Sequence, residues 1–209
     1  MTPYFITGIG TNVGKTVVSA ILTEALQADY WKPVQTGNTE DVDKNTVQQL
    51  ISNISSVCFK ESYSYKEPVS PHLAAHLENS EINTDNIILP PTKNKHLIIE
   101  GAGGLLVPLN DKQFVIDLAS QFDAEIILVC RNYVGCINHS LLSIDYLLKN
   151  NFKLKGLILN GAFNELVKSS IVNFANVPIL GQFPEIEKVN KASVLQLAKN
   201  IQTHLFTNS

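Results

Sequence analysis

The sequence predicts an α/β fold: a doubly wound, mainly parallel sheet flanked by helices on both faces. Three observations predict it. Short continuous apolar runs rich in Ile, Val and Leu recur along the chain, the mark of strands buried on both faces. Helix-period stretches alternate with them, as in βαβ units. Glycine-rich turns follow several of the runs, where such a fold places its ligand site.

In chain order, the first strand is Tyr4-Phe5-Ile6 and the first helix covers residues 15–28. A second strand ends in the proline turn Trp31-Lys32-Pro33-Val34-Gln35-Thr36-Gly37, and residues 43–52 read as helix. The stretch 57–95 holds Pro68, Pro71, Pro90 and Pro91 and is expected to be an excursion carrying one short helix. Leu97-Ile98-Ile99 is a buried strand, with a sharp turn expected over Gly101-Ala102-Gly103-Gly104 and a helix over 114–122. The most apolar strand, 125–129, precedes a helix over 138–148, and Gly156-Leu157-Ile158-Leu159 is the next strand. A terminal helix over 191–205 places Val194, Leu195, Leu197, Ala198, Ile201 and Leu205 toward the core. No repeat or linker divides the chain, so residues 1–209 are expected to form one domain.

Composition narrows the function classes. The 209 residues include 16 basic and 19 acidic side chains, a net charge of -3 and 44% apolar residues, enough for a full core without disulfides. Only one base, Arg131, is an arginine. Nucleic-acid readers show a basic face and use the arginine fork, so nucleic acid is excluded as a partner. Cys58, Cys130 and Cys136 leave one cysteine over in any disulfide scheme and form no zinc-like spacing, which suits free thiols. With no leader pattern and no apolar run near the roughly 18 residues of a membrane span, a cytoplasmic location without membrane contact is expected.

Gly8-Ile9-Gly10-Thr11-Asn12-Val13-Gly14-Lys15-Thr16 follows a strand and opens a helix. In a phosphate loop, backbone N–H groups wrap the polyphosphate, the lysine neutralises its outer charge and the hydroxyl holds Mg2+. The strict pattern has glycine where Ile9 stands; Gly8 lies one place earlier, so the loop has one extra residue. An ordinary glycine-rich turn explains neither the Lys15-Thr16 pair nor its place at a helix start. The fold is therefore expected to be of P-loop NTPase type.

A Mg2+ on the outer phosphates needs carboxylates from the same sheet edge. Glu100, at the end of its strand, is one candidate, against a role as a turn residue. Asp43 is the other, against a role as helix N-cap. Lys32 reads either as a surface residue with its stem buried or as a second cation, with Lys15, on a transferring phosphoryl group. The run Arg131-Asn132-Tyr133-Val134-Gly135-Cys136-Ile137-Asn138-His139 enters a helix and is either a cap or a second anion site, suited to a carboxylate. Cys136 lacks the base-orienter arrangement of a nucleophile. His72 and His76 have metal spacing, but the HExxH glutamate and a third ligand are missing.

Taken together, the loop 8–16, Lys32-Pro33-Val34-Gln35-Thr36-Gly37, Ser70-Pro71-His72-Leu73-Ala74-Ala75, Glu100-Gly101-Ala102-Gly103-Gly104, Gly135-Cys136-Ile137-Asn138-His139 and Gly156-Leu157-Ile158-Leu159-Asn160 resemble the dethiobiotin synthetase family, in family order over nearly the whole chain. The resemblance implies an ATP- and Mg2+-dependent ligase of biotin biosynthesis. CO2 adds to an amine of 7,8-diaminononanoate (diaminopelargonate), the carbamate takes the γ-phosphoryl of ATP, and the second amine closes the ureido ring. It implies Thr16, Asp43 and Glu100 as Mg2+ ligands, and Lys15, Lys32 and Thr11 at the reacting groups. The nucleotide would be lined by Asn12, Val13, Gly14, Lys15, Thr16 and Val17, by Glu100, Gly101, Ala102 and Gly103, and by Asn160, Gly161, Pro184, Glu185 and Ile186. The diamine would meet Thr36. In the homodimer that the family forms, Val134, Gly135, Cys136, Ile137 and Asn138 of the other subunit would hold its carboxylate. From its position after the 126–130 strand, Arg131 reads either as a brace for that loop or as a ligand contact. The competing class is a partition or positioning ATPase that acts as a nucleotide switch; such proteins carry a lysine four residues before the glycine that precedes Lys15, and Gly10 stands there.

Overall fold

The computed structural model describes residues 1–37 and 42–206. In chain order its elements are β1 (Thr2–Gly8), α1 (Lys15–Leu26), β2 (Asp29–Trp31), β3 (Val34–Thr36), α2 (Asp43–Leu50), β4 (Tyr63–Tyr65), α3 (Pro71–Leu77), β5 (His96–Gly104), α4 (Asp117–Gln121), β6 (Glu125–Arg131), α5 (Cys136–Lys149), β7 (Leu154–Asn160), α6 (Glu165–Ala175), β8 (Ile179–Phe183) and α7 (Lys191–Ala198). Six strands form one sheet in the order β2-β5-β1-β6-β7-β8, with every neighbouring pair parallel. Strands β3 and β4 make a separate parallel pair beside it. This is the doubly wound α/β architecture expected from the sequence.

Period-two geometry sends alternate strand residues to opposite faces, and both faces are apolar. Tyr4, Ile6, Ile98, Ile127, Val129 and Ile158 pack under α1, α2 and α7. Phe5, Leu97, Ile99, Ile126, Leu128 and Leu157 pack under α3, α4, α5 and α6. The strands therefore read as unbroken apolar runs because each residue has a core to enter. Among the described residues, no helix is long and apolar enough to cross a membrane.

Several boundaries differ from expectation for local reasons. The turn expected at 101–104 is strand: β5 runs on to Gly104, which pairs with Gly8, because its small residues lie flat beside β1. Helix α4 starts at Asp117, since Phe114 is engaged in a bridge to Pro108 and donates its N–H to the Asp117 carboxylate. The terminal helix stops at Ala198. A turn and the 3-10 segment Thr203–Phe206 then bury Ile201 and Phe206, and the Tyr4 hydroxyl donates to Phe206 O at 2.9 Å. The 57–95 excursion holds the expected short helix, α3, together with β4 and a 3-10 turn at Thr84–Asn86.

Gly156 lies where β7 meets the segment entering β8. A Cβ there would stand 2.6 Å from Leu180 Cγ and 2.7 Å from the Pro178 carbonyl oxygen. A backbone oxygen cannot swing away, so Gly156→Ala is expected to destabilise the protein by roughly 1–3 kcal/mol, the usual cost of overpacking. Urea unfolding would show this as a lower midpoint at unchanged slope.

Candidate active site

The first strand delivers the loop 8–16 to the C-terminal edge of the sheet, and Gly14 turns it into α1. Gly14 is left-handed, with φ of 89°, and no side chain caps α1. The first N–H groups of the helix are thus left for an anion. Two side chains from neighbouring strand ends brace the loop. Asn160, at the end of β7, donates to Val13 O at 2.8 Å. Arg131, at the end of β6, donates to Asn12 O at 3.1 Å and pairs with Glu185 at 3.0 Å. Arg131 therefore braces the phosphate loop, whereas the sequence leaves it as a brace for the 134–138 loop or a ligand contact. Lys15 is buried and donates from Nζ to Gly10 O at 3.3 Å, curling over the loop. Burial lowers its pKa, with Lys32 adding to the effect and Glu100 and Asp43 opposing it.

Beside the loop, four elements contribute to one polar cluster. The Thr16 hydroxyl lies 2.7 Å from Asp43 Oδ1 and 2.9 Å from Glu100 Oε1. Lys32, one residue past β2, pairs through Nζ with Asp43 Oδ2 and stands 3.5 Å from Glu100 Oε1. Glu100 is only 1% exposed, and its Oε2 accepts from the Tyr30 hydroxyl at 2.9 Å. These placements remove the structural alternatives that the sequence leaves open. Lys32 is buried rather than at the surface, and Glu100 lies within β5 rather than in a turn. Asp43 is the first helical residue; Val42 occupies the cap position, and no side chain caps α2.

Burial alone would lower the Lys32 pKa, but Glu100 and Asp43 outweigh it and hold the ammonium above its ordinary value. Burial alone would raise Asp43, but the charge and hydrogen bond of Lys32, with Thr16 and Gln35, hold its carboxyl below the ordinary range. The stabilisation carried by Asp43 is thus present above its unfolded pKa and is lost as pH falls through the folded one. That of Lys32 persists until pH rises through its own raised value. The pair is charged throughout the neutral range.

Thr16, Asp43 and Glu100 offer only hard oxygens. Among the described residues, no group of three or more His, Cys, Asp or Glu side chains could hold a metal. Two carboxylates and a hydroxyl match Mg2+, which commonly binds through one or two carboxylates and completes its shell with phosphates and water.

Of the residues singled out from sequence, Thr11, Asn12, Gly14, Lys15, Thr16, Val17, Lys32, Thr36, Asp43, Glu100, Ala102 and Gly103 line one cleft of about 660 Å3. Gly14 and Val17 also border a recess of about 190 Å3 with Asn160, Gly161, Pro184, Glu185 and Ile186. Val13 points into the core, and Gly101 is buried with its Cα side against Phe5 and Val115. Val134, Gly135, Cys136, Ile137 and Asn138 line a separate depression of about 710 Å3 and do not reach the cleft within one chain. Gln35, Gly37 and Pro68 complete the cleft wall. Gln35 is buried, accepts from the Asp43 N–H at 3.4 Å and donates to Thr36 O at 2.7 Å. Its place in the Lys32–Gly37 motif was a signal for it; Pro68 carried none.

The sheet order and the loop at the head of α1 define a P-loop nucleotide-binding α/β protein. The MinC:MinD cell division complex of Aquifex aeolicus shares the fold, with a TM-score of 0.58 over 100% of this chain and 97% of that one, at 15% identity. A family model described as an AAA domain matches residues 2–193. The ATP-dependent dethiobiotin synthetase BioD of Cytophaga hutchinsonii is 49% identical over 95% of this chain and 96% of its own length. That of Christiangramia forsetii is 45% identical over 97% of each. The chain belongs to the dethiobiotin synthetase family. The likeness to the cell division complex, at 15% identity, is one of fold alone.

An added Cβ at Gly14 would lie 2.1 Å from Asn160 Nδ2 in a backbone conformation that L residues rarely adopt. Gly14→Ala is expected to cost roughly 1–3 kcal/mol of loop strain and to weaken ATP binding about tenfold or more, read by calorimetric titration.

Proposed function

We propose that the chain, as one domain over residues 1–209, is an ATP- and Mg2+-dependent dethiobiotin synthetase. It carboxylates 7,8-diaminononanoate with CO2 and closes the ureido ring with release of ADP and phosphate. Family membership supports the overall reaction, and one observation carries the site assignment: the buried Lys32 ammonium stands with Asp43, Glu100 and Thr16 beside the phosphate loop.

CO2 forms a C–N bond with one amine of the diamine, which loses a proton and becomes a carbamate. A carbamate oxygen attacks the γ-phosphorus and ADP leaves. The second amine then attacks the carbamoyl carbon and expels phosphate. A carbamate is a weak and labile nucleophile, so alignment is the main demand; well-oriented intramolecular reactions gain about 7–11 kcal/mol. Lys15 and Lys32 present two cations to the transferring group, with Thr11 on the loop facing it and Thr36 holding the diamine. Thr16, Asp43 and Glu100 would hold Mg2+, which supplies neutralising charge at the outer phosphates. Lys15, Lys32 and the loop N–H groups meet the phosphoryl charge without an arginine finger, and Arg131 is engaged instead with Asn12 O and Glu185. Asn160, Gly161, Pro184, Glu185 and Ile186 form the recess for the base.

The substrate carboxylate meets the N-terminus of α5 from a second protomer of a homodimer. Supporting this reading, Gly135 leaves α5 without a side-chain cap. Val134 is fully exposed, and Leu142, Leu166 and Phe174 present further apolar surface on α5 and α6.

Lys32→Ala is expected to lower kcat for dethiobiotin formation by about a hundredfold or more while nucleotide binding persists, the usual scale for removing one charge-stabilising group. Undiminished turnover would remove Lys32 from the mechanism. In the wild type, ADP release with bicarbonate must depend on the diamine; full release without it would favour a nucleotide switch. For the shared site, mixing Lys32→Ala subunits with subunits altered at Gly135 should restore part of the activity in heterodimers. No recovery would place each site within one chain.

A further inference from the structure

Tyr30 has no part in the mechanism above, yet it touches the cation cluster from beneath. It lies on β2 opposite Ile98, is fully buried, and donates its hydroxyl to Glu100 Oε2 at 2.9 Å. The other Glu100 oxygen, Oε1, faces Thr16 at 2.9 Å and Lys32 at 3.5 Å. The carboxylate is thereby divided: Oε2 is held in the sheet and Oε1 is turned to the phosphate loop. A buried carboxylate oxygen without a donor is costly, so the Tyr30 bond is not readily given up for another arrangement.

A cation beside Thr16 therefore meets one Glu100 oxygen. Mg2+ is satisfied by single oxygens in a tight octahedron, whereas Ca2+ takes 6–8 oxygens at longer range and readily uses carboxylates in bidentate fashion. We propose that Tyr30 is a positioning residue that sets the cation preference of the site by confining Glu100 to one-oxygen contact. This rests on the Mg2+-nucleotide reading of Thr16, Asp43 and Glu100 and assigns Tyr30 the selection of Mg2+ over larger divalent cations.

The test compares wild type with Tyr30→Phe, which keeps the buried ring and removes only the donor. Mg2+ and Ca2+ affinities are measured by calorimetry in the presence of a non-hydrolysable ATP analogue, and ligand-free melting temperature is recorded alongside. The Ca2+-to-Mg2+ affinity ratio is expected to rise about tenfold in Tyr30→Phe, the scale of one hydrogen bond to a charged group. A structural role alone would lower the melting temperature and weaken both cations equally; an unchanged ratio overturns the proposal. Should Tyr30→Phe fail to fold, a crystal structure of the wild type with Mg2+ and the analogue decides the matter. Glu100 must meet the metal through Oε1 only, and coordination through both oxygens overturns it. Dethiobiotin formation by the wild type is assayed separately. Its absence, with the cation ratio shifted as expected, sinks the proposed reaction and leaves the role of Tyr30. Nucleotide binding indifferent to divalent cations in the wild type overturns both.

Discussion

The site depends on a cation held between two carboxylates away from water. Lys32 and Glu100 are both nearly inaccessible, and a buried charge without a partner costs several kcal/mol. Each member of the cluster therefore requires the others, and each comes from a different element: Lys32 follows β2, Asp43 opens α2, Glu100 sits in β5 and Thr16 lies in the first turn of α1. The sheet order supplies the rest. With β5 between β2 and β1, Glu100 falls between the strand that ends before Lys32 and the strand that feeds the phosphate loop. A permuted order would separate the charges and leave them unpaired.

The same edge fixes the loop. A left-handed glycine at the head of α1 is tolerated by conformation alone, but its neighbours determine which loop geometry persists. Asn160 fills the space where a Gly14 side chain would stand, and Arg131 ties Asn12 to Glu185 across the mouth of the smaller recess. Side chains from β6 and β7 thus position a loop that begins on β1. This limits the reorganisation left for a ligand that binds at the loop.

Much of this was legible in sequence, and the limits have physical causes. Buried parallel strands announce themselves because both faces are apolar, so β1, β5, β6 and β7 were clear from unbroken runs. Helix α6 and strand β8 were not, because α6 buries only Ile171 while Leu166 and Phe174 stay exposed, which blurs the helical stripe. The glycines after Glu100 suggested a turn because composition cannot distinguish a flexible turn from a strand that needs small residues to lie close to its neighbour. The residues of the phosphate loop and the two carboxylates carried motif spacing. Tyr30 carried none: an aromatic residue in an apolar strand looks like core packing, and only the register of β2 on β5 reveals that its hydroxyl ends at Glu100.

That placement bears on the division of labour in the cluster. Asp43 is partly exposed at the start of a helix and is held by groups that face the cleft: Lys32, Thr16 and Gln35. Glu100 is held from the opposite side, by a strand residue on a completed sheet. Asp43 is thus tied only to groups that line the cleft, whereas Glu100 is tied both to two of them and to the core. Lys32 bridges them and stands closer to Asp43 than to Glu100, while Tyr30 fixes Glu100 from the other side. The geometry separates a carboxylate held only from the cleft from one that is also anchored in the sheet.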